Sequence, residues 1–259
     1  MARKKSYTHT GKCIWCGKSA PQVSFKKRPH IVPDAVGGNE IGIDVCDECN
    51  EFFGNSQNAN LPSPDQIFSA LFNLKRFSPY SNFVTDGSKH KQRWFTIEES
   101  GILHIPKLIF TSSIIGDLLK RAFYEIFLQK YHQYTKDGNN CIFDSVVSYA
   151  RYDYNAANIK VYYVKQKMWL LPAEHNKTFV PMSKKNIKDM NGTGFFRFYF
   201  LGYIFYLEIF KSKCDKSRDS YFHSQLKKNS FFWDEIVEFN TLNQLTDFFN
   251  FLGNKIIID

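Results

Sequence analysis

The sequence predicts an α+β fold in two parts: a small N-terminal module, residues 1–58, stapled by paired cysteines, and a larger α+β domain, residues 59–259. Three observations carry this reading. Four of the six cysteines form two identical Cys-x-x-Cys pairs, residues 112–134 repeat apolar side chains at helical spacing, and residues 195–210 alternate aromatic residues as a hairpin does. The composition agrees, since 43% hydrophobic and 17% aromatic residues are too much apolar surface for a disordered chain. The longest charge-free apolar stretch, Phe198 to Leu207, has ten residues, against about 20 for a membrane-spanning helix. The first residues are basic and polar with no apolar run behind them, unlike a secretory signal. The expectation is a soluble, cytoplasmic protein without membrane partners.

The net charge of +9 favours polyanionic partners, although AT-rich codons also enrich lysine, and placement says more than the sum. Residues 1–30 carry eight basic groups (Arg3, Lys4, Lys5, Lys12, Lys18, Lys26, Lys27 and Arg28) and no acid, whereas the six acids of the first sixty residues fall between Asp34 and Glu51. A basic arm leads into a segment rich in metal-ligand types.

The cysteine pairs are Cys13-Ile-Trp-Cys16 and Cys46-Asp-Glu-Cys49. Two intervening residues let both thiolates of a pair reach one ion at about 2.3 Å, so two pairs complete a closed tetrahedral shell for a structural Zn²⁺. Disulfides are disfavoured in a chain without an export signal, and a redox pair needs only one Cys-x-x-Cys. Gly17 is placed to take the left-handed turn that closes the first knuckle. Zinc also explains how sixty residues with a modest core can fold, because its binding contributes about 10–16 kcal/mol. Cys141 and Cys214 have no such partners and read as ordinary surface or packing residues.

Between the knuckles, Val23 to Phe25 and His30 to Val32 read as short β-like pieces, Pro33 and Gly37-Gly38 as a loop, and the residues from Cys49 onward as a helix. In this order, Cys13-x-x-Cys16, His30-Ile31-Val32-Pro33, Gly37-Gly38 and Cys46-Asp47-Glu48-Cys49-Asn50 with Gly54 resemble the zinc-stapled branch of the HNH (ββα-metal) endonucleases. The likeness covers residues 10–58. It implies that His30 is the general base that activates water against a phosphodiester, a task suited to an imidazole titrating near neutral pH. It implies that Asn50 binds a catalytic Mg²⁺ or Mn²⁺ ion, which would stabilise the scissile phosphate. The middle asparagine of the motif, which orients the base-bearing loop, has two candidates, Asn39 and Asp44. The position before the base, in many members a metal-binding Asp, Glu or His, is here Pro29. Asp34, Asp44 or water would complete the ion's shell. Lys26, Lys27 and Arg28, just before the base, are the candidate phosphate contacts.

Downstream, Ser63 caps a helix beginning at Pro64 and reaching Phe77, with Ile67, Leu71 and Leu74 as its packing stripe. Residues 78–93 read as a polar loop containing Lys89, His90, Lys91 and Arg93. Strands are expected at Arg93–Ile97 and Ile102–Phe110. The clearest helix is Ser112–Tyr134, with Ile115, Leu118, Leu119, Ala122, Phe123, Ile126 and Phe127 on one side. Another helix is expected at Ile142–Ala150, and strands at Ile159–Val164 and Lys167–Leu171. The aromatic hairpin spans Phe195–Phe210 and reads as core rather than as a base-stacking platform. A strand at Phe231–Phe239 and a final helix at Leu242–Leu252 follow. The sequence as a whole points to a metal-dependent endonuclease acting on nucleic acid, foremost DNA, in a restriction-like or anti-phage setting. The second domain would position substrate or dock a partner protein or a second copy. The alternative is a non-catalytic zinc-dependent DNA-binding or adaptor protein whose site has degenerated at Pro29.

Overall fold

A computed structural model describes residues 7–56, 60–73, 96–97, 102–152, 158–167, 180–245, 247 and 256–258. Over these residues the architecture is mixed helix and sheet, as expected. The expected loop at 78–93, the helix end at 74–77, residues 168–171 and most of the final helix lie outside the described residues.

In the first sixty residues the β-like pieces do not become strands. Lys12 bridges Ser19 and His30 bridges Ile41 as isolated pairs. Pro29 and Pro33 flank the second piece, and a proline cannot donate to a ladder. The first piece meets α1 instead of a strand: Ser24 O accepts from Asp47 N–H at 2.8 Å, and just beyond it the amides of Lys26 and Lys27 bond the Asp47 carboxylate at 2.8 and 2.7 Å. Helix α1, Asp47–Gly54, starts directly after the ligand Cys46, whose backbone is extended. Acidic Asp47 and Glu48 in its first turn suit the positive end of the helix dipole.

Helix α2, Pro64–Asn73, begins at the expected cap. Gln66 N–H donates to Ser63 Oγ at 3.2 Å and Ser63 N–H to Gln66 Oε1 at 3.1 Å, a reciprocal capping box. Short strands β1, Thr96–Ile97, and β2, Leu103–Ile105, pair antiparallel, and β7, Ile256–Ile258, joins β2 in parallel. The strand expected to reach Phe110 stops before Pro106, and helix α3, Lys107–Thr111, follows. Proline has no N–H for the ladder, but it suits the start of a helix, where that donor is not needed.

Helix α4, Ser113–Thr135, matches its periodicity and is capped by Ser112, whose Oγ accepts from Ile115 N–H at 3.4 Å. The stretch expected as one helix over Ile142–Ala150 is broken into a 3₁₀ turn, helix α5, Asp144–Val147, and a π turn, Ser148–Tyr152. Strand β3, Val161–Gln166, helix α6, Lys184–Thr193, the hairpin β4, Phe195–Phe200, and β5, Tyr203–Glu208, helix α7, Lys211–Lys228, and strand β6, Trp233–Glu238, complete the second part. The four strands form an antiparallel sheet in the order β4-β5-β3-β6. Leu201 and Gly202, both in the left-handed region, make the two-residue hairpin turn. At the C-terminal end, Leu242–Leu245 is a 3₁₀ turn.

The core is aromatic and centred on α4. Phe123 meets Phe198 and Phe205 at ring-centroid distances of 4.9 and 4.5 Å, and Phe127 meets Phe196 at 4.8 Å. Phe68 and Phe72 of α2 pack on Phe200 at 5.1 and 5.0 Å. The inward residues Phe196, Phe198 and Phe200 are buried, as the hairpin reading required. Cys141 is exposed and Cys214 buried.

One side of α4 is buried yet polar. Arg121, Glu125, Gln129, Lys130 and His132 recur at helical spacing and face the N-terminal module. The Arg121 guanidinium lies 5.1 Å from the centre of the Phe52 ring of α1. Lys130 pairs with Glu40, and His132 bonds Asp44 at 2.9 Å. The polar stripe holds the module against the aromatic core.

Candidate functional site

The cysteine cluster forms first, from local turns. Gly17 takes a positive φ and its N–H bonds Cys13 O at 2.9 Å, which closes the first knuckle. The extended residue Cys46 and the first turn of α1 supply the second. All four Sγ atoms lie within 4.8 Å of one another, and those of Cys16 and Cys46 are 3.7 Å apart. Tetrahedral coordination at about 2.3 Å sets sulfur atoms about 3.8 Å apart, so the cluster fits a zinc ion. A hydrogen bond with Cys49 pulls the Cys13 thiol down to about 5. Burial pushes the Cys46 thiol up to about 12. The bond with Cys13, with burial, pushes the Cys49 thiol far above its ordinary range. A bound Zn²⁺ would favour the ionised form of the thiols that hold it. Arg151 Nε donates to Cys49 Sγ at 3.5 Å and so tempers the thiolate charge.

The segment clamped between the knuckles sets His30. Gly37 lies at φ 87° and ends a 3₁₀ turn over Asp34–Val36. A Cβ on Gly38 would sit 1.9 Å from Val32 O, so only glycine lets these backbones approach. That approach brings Gly38 O to 3.2 Å from His30 Nδ1. A carbonyl can only accept, so Nδ1 carries the proton and Nε2 keeps a free lone pair.

His30 and Asn50 line one cleft of about 590 Å³, together with Arg28, Asp34, Gly54, Asp65 and Asn73. Asn50 stands on α1, half-buried, and its side chain makes no hydrogen bond among the described residues. Thus the structure brings together the expected base and the expected ion ligand. The other expected residues scatter. Arg28 reaches the cleft, Lys26 is exposed, and Lys27 pairs with Glu51. Asn39 is exposed and bonds nothing among the described residues. Asp44 is wholly buried and bound to residues 9–11 and His132. Neither Asn39 nor Asp44 hydrogen-bonds His30, whose ring is oriented by the Gly38 carbonyl instead. Pro29 is buried and offers no donor.

Two cleft residues escaped the sequence. Asp65 and Asn73 occupy α2, outside the motif, and an acid or amide near a helix end carries no pattern that marks it. Desolvation pushes the Asp65 carboxyl up to about 6. Burial, followed by the charge of Asp65, pushes Glu125 behind it well above the carboxylate range. Asn73 Oδ1 is buried without a donor among the described residues. Oxygen donors of this kind suit a hard divalent cation such as Mg²⁺ or Mn²⁺.

The class these features define is a four-cysteine module, fit for a zinc ion, that presents an oriented imidazole and oxygen donors to one cleft. Residues 13–63 of the chain match the HNH endonuclease family model. No curated protein and no solved structure was found to match the chain. No helix among the described residues is long and apolar enough to cross a membrane.

Proposed function

We propose that this protein is a metal-dependent endonuclease that hydrolyses phosphodiester bonds of nucleic acid, foremost DNA. The observation that carries the reading is His30: its Nδ1 is tied to Gly38 O, and its ring faces the cleft that also holds Asn50. Such an imidazole accepts a proton at Nε2 from a water aligned on the phosphate, and the Gly38 bond keeps the ring in place as charge develops. Asn50 would hold a Mg²⁺ or Mn²⁺ ion, which when bound supplies electrostatic stabilisation of the phosphate and leaving oxygen. Arg28 would contact the backbone from the cleft wall, with Lys26 alongside. A Zn²⁺ in the four-cysteine cluster would hold the frame without taking part in the chemistry. The restriction-like or anti-phage setting is supported by the family likeness alone.

Purified zinc-loaded protein with Mg²⁺ or Mn²⁺ should nick supercoiled plasmid. His30→Ala should lower the rate by about 10²–10⁴-fold with zinc content unchanged. Plasmid binding without cleavage in any divalent ion, insensitive to His30→Ala, would instead identify a non-catalytic DNA-binding protein, the reading that buried Pro29 favours. Cleavage of single-stranded RNA in preference to plasmid would move the substrate class from DNA to RNA.

A further inference from the structure

We propose that Asp65 is a carboxylate ligand of the divalent cation in the cleft, reaching in from α2 to supply the donor that Pro29 cannot. The inference rests on the metal-dependent reading above and adds to it a residue outside the family motif.

The placement comes from α1. Asn50 and Gly54 are one turn apart on the same helix face, where Cβ positions lie about 5–6 Å from each other. Asp65 Oδ2 lies 3.8 Å from where a Cβ on Gly54 would sit. The carboxylate therefore stands beside the residue one helical turn along α1 from Asn50, and Asn50 and Asp65 line the same cleft. Glycine at position 54 leaves the space between them open.

Charge points the same way. Behind Asp65 is Glu125, 2% exposed. Its Oε1 accepts from Gln129 Nε2 at 2.8 Å, and its carboxyl shares a hydrogen bond with that of Asp65. Neither carboxyl forms an ion pair among the described residues. With no basic side chain paired to either, a divalent ion on the cleft side would supply the nearby positive charge. The donor-free Asn73 Oδ1 offers a further oxygen from the same helix. Asp34 is the rival carboxylate. It lies exposed on the 3₁₀ turn, with no orphaned partner behind it.

The test is Mn²⁺ binding to the full-length, zinc-loaded chain, followed by the electron paramagnetic resonance signal of free Mn²⁺. Loss of even an outer partner of a metal site costs about 10–100-fold in affinity. Asp65→Asn is therefore expected to weaken Mn²⁺ by at least about tenfold, with zinc content and circular dichroism unchanged. Asp34→Asn should leave binding near wild type. If Asp65 and Asn50 hold one ion, Asn50→Ala combined with Asp65→Asn should weaken binding by less than the product of the single effects. Wild-type affinity in Asp65→Asn overturns the proposal, as does a wild-type protein that binds no Mn²⁺. Should Asp65→Asn fail to fold, wild-type crystals soaked in Mn²⁺ decide it. An anomalous peak about 2.1 Å from the Asp65 carboxylate is expected, and a bound ion not touching Asp65 refutes it. The two readings fail separately: Mn²⁺ held by Asp65 without cleavage of any nucleic acid removes the nuclease, while cleavage with intact Mn²⁺ binding in Asp65→Asn removes only the ligand.

Discussion

Asp44 shows how far one residue's role can differ from its place in a motif. It follows the Gly-Gly loop, and the sequence offers it as a residue that orients the base. In the structure it sits at φ 56°, a conformation aspartate tolerates better than most residues. Its carboxylate accepts from the amides of His9, Thr10 and Gly11 at 2.8, 2.8 and 2.9 Å. It also accepts from His132, whose Nδ1 takes the Gly138 N–H at 2.9 Å, so the proton on Nε2 is the one donated. Those partners lie more than thirty residues before and 88 residues after it, beyond any local pattern. Burial alone would raise the Asp44 carboxyl, but the amides and His132 outweigh it and hold the group at about 2. Because the folded value lies below the ordinary 3.8, this contribution is complete above that value and fades as pH falls toward 2. Asp44→Asn turns an amide toward these donors and should cost about 1–3 kcal/mol in denaturant unfolding of zinc-saturated protein. The variant should also lose stability less steeply than wild type between pH 4 and about 2. Equal stability of the two proteins at neutral pH would remove Asp44 as the anchor between the N-terminal arm and α4.

Elements were legible where their signal is local. The Cys-x-x-Cys pairs need only a turn each, and α4 and the hairpin carry their own periods. Helix α7 did not declare itself: of its eighteen residues only Cys214 and Phe222 are buried, too few for an apolar stripe. Phe222 nevertheless closes the far side of the sheet against Tyr162 and Phe195, both at 5.0 Å. The module's second β piece failed because prolines flank it, and the first bonds α1 through Ser24 O instead of a neighbouring strand. Residues 9–56 are held by the cysteine cluster, by packing around Trp15, whose ring lies 4.8 Å from that of Phe53, and by the polar contacts with α4. Removing the metal, by strong chelation or by Cys46→Ser, should therefore melt this element while the Phe-rich core of α4 and the sheet persists. Circular dichroism should fall only in part, and tryptophan emission should shift red as Trp15 meets water. Trp15→Phe should abolish that shift. A single, complete loss of ellipticity on chelation would show instead that the metal holds the whole chain.

At the scale of the molecule, the cleft is a joint construction. Arg28, His30, Asp34 and Asn50 come from the stapled segment, and Asp65 and Asn73 come from α2. Helix α2 is held by Phe68 and Phe72 against the aromatic sheet. The motif alone shows the first group, and only the packing of distant elements shows the second. Arg151, from the π turn after α5, ties the larger part of the chain to α1 as well. Its guanidinium lies 4.0 Å from the centre of the Phe52 ring, donates to Cys49 Sγ, and reaches Glu48 Oε1 at 3.5 Å. The exposed Glu48 contact adds little, so the stacking and the bond to sulfur carry the effect. Stacking on a half-buried ring contributes about 0.5–2 kcal/mol, and a hydrogen bond to a charged acceptor about 1.5–3. Arg151→Ala should speed zinc loss to a chelator and lower the unfolding midpoint. Arg151→Lys should restore little, because lysine keeps the charge but lacks the planar fork that stacks and donates. If lysine rescued zinc retention fully, charge alone would link the domain to the cluster, and the stacked geometry would be incidental.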